Sequence, residues 1–196
     1  MKKLFLSMIV FGIVFIAMGQ KTIISDANAE QRVLSGSFSA IKISNGIDLY
    51  LSQYDNETVA VSASEQQYKD GIKTVIANNT LLIYYNNEKK WVNNKKLKVY
   101  VAFKDLQKIE ASGSSDIYVA GTVEVNNLVL DLSGSSDFKG DVKVSALTLN
   151  LSGSSDVKIS GSANDVAIQS SGASDVNGYE LIAEKCTAKA SGASDI

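Results

Sequence analysis

The sequence predicts an all-β fold, a parallel β-helix (solenoid) with coils of about 20 residues, and three observations predict it. A seven-residue stretch recurs five times, as ASGSSDI (111–117), LSGSSDF (132–138), LSGSSDV (151–157), SSGASDV (170–176) and ASGASDI (190–196). Its glycines, Gly113, Gly134, Gly153, Gly172 and Gly192, are 21, 19, 19 and 20 residues apart, a solenoid period. Upstream of them apolar residues alternate with polar ones, as in Leu128, Leu130, Leu132 and again in Leu147, Leu149, Leu151, which marks half-buried strands.

The elements follow in chain order. Lys2 and Lys3 before the apolar run 4–18 and the small-residue site Ala17-Met18-Gly19 read as a signal peptide over 1–19. The run has 15 residues, fewer than the roughly 20 a membrane helix needs, so cleavage leaves no membrane span. Residues 20–29 read as a flexible lead-in to one domain over 30–196. Phe38, Ile41 and Ile43 lead into Ser44-Asn45-Gly46-Ile47-Asp48, a diverged copy of the corner motif, with Leu49 and Leu51 continuing the alternation. Asn78-Asn79-Thr80 separates two apolar runs as a hairpin turn. Leu97, Val99, Val101 and Phe103 share one face of a strand, and the polar stretch 86–94 around Trp91 reads as an exposed loop.

From residue 111 onward each corner motif is followed by a short strand, a second glycine turn (Gly121, Gly140, Gly161 or Gly178) and a third segment leading to the next copy. That is one β-helix coil, with equivalent strands of successive coils paired in parallel. The L-x-x-L-x-L-x-x-N pattern of leucine-rich repeats and the 3.6-residue stripe of helical repeats are both missing. Cys186 stands six residues before Gly192, as Leu128, Leu147 and Val166 stand before theirs, so it is expected to face the core rather than to react or bind metal.

Several of these stretches in order, F-x-x-I-x-I-x-N-G-I-D-L near residues 38–49, I-x-T-x-I at 72–76, L-x-I at 81–83 and the repeated S-G-S-S-D-V turns, resemble the GIN-domain family of auto-transporter adhesin heads. The resemblance spans almost all of the chain after the signal. It implies an exported bacterial protein, often of Bacteroidetes type, folded as a right-handed parallel β-helix. Two departures stand beside it. No translocator barrel follows, and the sequence stops inside its fifth motif, where a further coil or a C-terminal cap is expected.

Function is bounded mainly by exclusion. Without Lys2 and Lys3 the chain carries 17 basic against 21 acidic residues, which does not attract nucleic acid. It has no histidine, so a Ser-His-Asp triad is impossible, and a nucleophile needs one preorganised place rather than five copies. The aspartates of the motif, Asp116, Asp137, Asp156, Asp175 and Asp195, are expected to form a ladder about 4.8 Å apart. Each neighbouring pair then repels by about 0.9 kcal/mol in water. Solvent exposure, hydrogen bonds from nearby N–H or serine hydroxyls, or bound Ca²⁺ shared between coils would relieve it.

The expected function is that of a non-catalytic exported module binding cell-envelope or extracellular carbohydrate or protein, in the periplasm or at the surface. Trp91, Tyr84 and Tyr85 are its contact candidates, although strand packing would equally account for the tyrosines. The alternative is a polysaccharide lyase or hydrolase using the stacked aspartates. Against it stand the single arginine, Arg32, and the short turns, which leave few long side chains to line a cleft.

Overall fold

The computed structural model describes residues 13–15, 24–86 and 96–196. The expected cleavage site at residue 19 and Trp91 lie outside the described residues. Strand β1 (Ile13–Phe15) pairs antiparallel with β2 (Ile24–Asp26). The rest forms one sheet wound into stacked coils: β3 (Glu30–Arg32), β4 (Ala40–Ile43), β5 (Asp48–Gln53), β6 (Thr58–Ser62), helix α1 (Gln66–Gly71), β7 (Ile72–Ala77), β8 (Thr80–Tyr85), β9 (Lys98–Phe103), β10 (Lys108–Ala111) and the long bent strands β11 (Ile117–Leu132), β12 (Phe138–Leu151), β13 (Asp156–Gly172) and β14 (Asp175–Gly192).

The repeat places like side chains over like. Leu128, Leu130 and Leu132 of β11 pair in parallel register with Leu147, Leu149 and Leu151 of β12, and these with Val166, Ile168 and Ser170 of β13. All are buried. Burying each aliphatic side chain is worth roughly 1.5–3 kcal/mol, and the file of similar side chains fills the interior of each coil. The glycine turns bend each long strand from one face of the solenoid to the next, with the parallel ladder running unbroken through Gly140 and Gly161 and shifting register at Gly121 and Gly178.

In the N-terminal half the coils do not stack in chain order. β4 lies between β8 and β10, and β5 lies between β9 and β11. The coil read as early and diverged therefore sits between one that follows it in sequence and the first regular repeat. Antiparallel strands close this end: β7 covers β8 through a hairpin whose Asn78 and Asn79 adopt φ of 50° and 60°, and β6 and β3 extend the sheet beyond β9. A strand edge left bare there would invite pairing with other chains, and the hairpin and β3 leave only short edges.

Part of the expected flexible lead-in is held down. Asp26 accepts hydrogen bonds from the Tyr100 hydroxyl at 2.8 Å and the Asn28 N–H at 2.9 Å, and Lys69 Nζ donates to the Asn28 carbonyl. Residues 26–28 thus strap across the outer side of β9, and Tyr100 is 4% exposed beneath them. Elsewhere a side chain stands in for a missing strand. The third face of the solenoid begins at β11, where Gln53 Oε1 accepts from the Glu124 N–H at 2.7 Å and Gln53 Nε2 donates to the Glu124 carbonyl at 2.9 Å.

Cys186 corrects its expectation. It occupies the inward register, opposite Val166, yet it is exposed, because β14 pairs on one side only, with β13. Burial in a solenoid comes from the coils above and below, so an inward register position buries a side chain only where a further coil covers it. Leu181 is half-buried for the same reason.

Candidate functional site

Each corner motif divides its residues among three tasks. Its glycine takes φ between 77° and 87° and stacks on the glycine of the previous coil, whose carbonyl accepts the next residue's N–H at 2.8 Å, as in Ser154 N–H to Gly134 O. The first serine donates its hydroxyl to a carbonyl of the preceding coil, Ser133 to Ala111 and Ser171 to Leu151 at 3.3 and 3.2 Å. The last serine turns inward. Ser115, Ser136, Ser155 and Ser174 are fully buried, and their hydroxyls meet backbone groups, as where Ser174 Oγ accepts the Ser155 N–H at 3.1 Å. The first and last serines are thereby committed to the turn.

The aspartates point outward in the expected ladder. Asp156 pairs with Asp175, and Asp175 bridges to Asp195. Asp48 continues the file behind Asp116, because Leu49 of β5 is in register with Ile117. Backbone amides of the next coil relieve part of the repulsion: Asp137 Oδ1 accepts the Asp156 N–H and Asp175 Oδ1 the Asp195 N–H, each at 3.3 Å. Among the described residues no three aspartates, glutamates or cysteines converge on one point, so an ion here would meet the carboxylates in single file.

Asp48 is the most constrained of the file. Burial first, then the Asp116 charge, push its carboxyl above the usual carboxylate range, and Lys98 only partly offsets them. A raised carboxyl binds its proton more tightly in the folded state, so its ionisation weakens the fold at neutral pH, and the penalty fades as pH falls through the raised value to the ordinary one near 4. Asp48→Asn is therefore expected to raise Tm at pH 7, with its advantage over the natural chain shrinking to nothing below about pH 4. A gap that stays constant across that range in a thermal melt series would rule out this origin. Asp26 has the opposite sign: burial raises it, but the Tyr100 hydroxyl, the Asn28 N–H, Ser62 and Lys98 outweigh burial, so its contribution is lost on acidification.

Two residues past the aspartates stands a feature that the sequence reading missed. Tyr100, Tyr50 and Tyr118 stack across three coils with ring centroids 5.1 and 5.2 Å apart and planes within 25° and 22°. Burial, then Asp116 and Asp48, push the Tyr118 hydroxyl up to about 12. The signal was present as a recurring apolar-Tyr-apolar triplet, L-Y-L, V-Y-V and I-Y-V. Of the predicted contact tyrosines, Tyr85 packs against the core, its ring over Gly71, while Tyr84 lies on the opposite face, half-buried.

A concavity lies on another face. A groove of about 590 Å³ runs along the stacked coils between the first serines of the motifs and one outward column of the preceding strands. That column is Lys42, Glu110, Asp131, Asn150, Gln169 and Lys189, each in register with the next. Lys42 pairs with Glu110 at 2.9 Å, Lys108 bridges Glu110 and Asp131 at 2.6 and 2.8 Å, and Asn150 Nδ2 donates to Asp131 at 2.7 Å. Lys108, then Lys42, hold the Glu110 carboxyl below its usual range. The groove's two carboxylates are thus already paired with lysines, and its amides and hydroxyls are neutral.

Residues 37–196 match the family described as "Putative auto-transporter adhesin, head GIN domain". Among solved structures the chain is similar to a "putative adhesin" from Bacteroides fragilis, with 22% identity, a TM-score of 0.79 and coverage of 86% of this chain and 78% of that one. It is also similar to a "putative adhesin" from Parabacteroides distasonis, with 20% identity, a TM-score of 0.71 and coverage of 85% and 79%. A third, a "Putative lipid binding protein" from the same species, has 18% identity, a TM-score of 0.62 and coverage of 83% and 78%. At these identities the likeness is one of fold. No curated protein matches the chain.

Proposed function

The chain belongs to the GIN-domain family of auto-transporter adhesin heads, and on that premise we propose that it is an exported, non-catalytic module that binds carbohydrate or protein of the cell envelope or extracellular space. The observation that carries the reading is the groove: a polar surface shared by six coils, whose carboxylates Glu110 and Asp131 are paired with lysines before any partner arrives. Such a surface offers many weak directional contacts over a long path, which suits attachment to an extended partner more than a reaction at one atom. The serines' engagement with backbone carbonyls and the single file of aspartates favour binding over catalysis. The apolar run after Lys2 and Lys3 supports export, and no helix among the described residues is long and apolar enough to cross a membrane.

Pull-down of envelope and extracellular polysaccharide fractions with the purified protein, followed by assay for new reducing ends or unsaturated sugars, tests the reading. Retention without product is expected. Product formation that disappears in the Asp137→Asn, Asp156→Asn double variant would replace it with a polysaccharide-active enzyme.

A further inference from the structure

Three properties of the groove specify its occupant more closely, given the reading of the domain as a binding module. Its polar column is periodic: one outward side chain per coil, in strict parallel register, at the inter-strand spacing of about 4.8 Å, so that six positions span roughly 24 Å along the axis. Its second row consists of serine hydroxyls that donate to a carbonyl of the preceding coil, which leaves their oxygens available as acceptors. Its central coils present Asp131, Asn150 and Gln169, a compensated carboxylate and two planar amides, each of which can engage two neighbouring hydroxyls at once.

We propose that this groove binds a neutral linear polysaccharide laid along the solenoid axis, one pyranose unit per coil. The coil spacing is close to the length of one sugar in an extended chain, so the drift between sugars and coils stays under half a sugar across the groove and each coil can meet one sugar. An extended peptide advances about 3.3 Å per residue and would fall out of step within two coils. A uronic-acid polymer would find no uncompensated cation at the centre of the groove, where Lys108 is already shared by Glu110 and Asp131. A nucleic acid would meet the same two carboxylates. Lys189 stands at the far end of the column, and over the central coils the amide and acceptor rows match a ligand that is rich in hydroxyls and carries no charge.

Titration calorimetry with β-1,4-linked gluco-, xylo- and manno-oligosaccharides of one to eight units provides the test. For at least one series, affinity is expected to climb with each sugar, by about tenfold or more in total between dimer and hexamer, and then to level off once the groove is filled. Asn150→Ala and Gln169→Ala should each weaken hexamer binding by about five- to tenfold while leaving Tm almost unchanged, since both side chains point outward. Equal affinity for dimer and hexamer, indifference to both substitutions, or no binding in any series at millimolar concentration would overturn the proposal. A protein that still retains envelope material under those results keeps its role as a binding module and loses this groove as the glycan site. One that retains none loses the role itself.

Discussion

Gly153→Ala is expected to cost about 4 kcal/mol and to lower Tm by roughly 12 °C. Two costs combine. At φ 83° a side chain pays about 1–2 kcal/mol for the left-handed region, and the new methyl would be driven into the Gly134 carbonyl of the coil beneath. That carbonyl already accepts the Ser154 N–H, so it cannot retreat without breaking an inter-coil bond. Gly121→Ala separates the terms: its φ is 84°, but nothing lies within 4 Å of the added carbon. It should cost only about 1–2 kcal/mol. Equal losses for the two variants, measured by urea unfolding, would show that the stacking of corner on corner is not what demands glycine.

The second large effect concerns the inward serines. Ser174→Ala removes the acceptor of the Ser155 N–H inside the closed core, leaving a buried donor without its partner, and should destabilise by about 2 kcal/mol. Ser154→Ala, one residue before a buried serine but exposed itself, should stay within about 0.5 kcal/mol. A Ser174→Ala variant as stable as the natural chain would mean that the donor finds another acceptor and that the buried serine file is dispensable.

These two predictions bear on what the repeated motif is for. Its first and last serines have structural tasks, and the aspartate and the exposed middle residue are left to solvent. The groove lies one strand away, and its residues vary from coil to coil, Lys, Glu, Asp, Asn, Gln and Lys in turn, while the corner hardly changes. Regularity marks the scaffold here, and variation marks the surface proposed to meet a partner.

For the same reason the site was harder to read than the fold. Asn150 and Gln169 could be assigned to solvent from alternation alone, yet nothing local says that they align with Lys42, more than a hundred residues earlier. That alignment depends on β4 being threaded between β8 and β10. The tyrosine stack was hidden likewise: its triplets are visible in the sequence, but Tyr100 precedes Tyr50 in space and follows it in the chain.

By itself the sequence determined the coil length, the strands, the inward faces and the corners, because those depend on interactions between residues a few positions apart and on a repeat that carries its own register. Only the tertiary structure decided the order of the N-terminal coils, the joining of Lys42 to the groove, the strap of residues 26–28 and the exposure of Cys186. Each of these depends on which strand is neighbour to which, and a backbone hydrogen-bond ladder accepts any strand of suitable length. The choice is made by long-range packing, to which the local pattern of apolar and polar residues is blind.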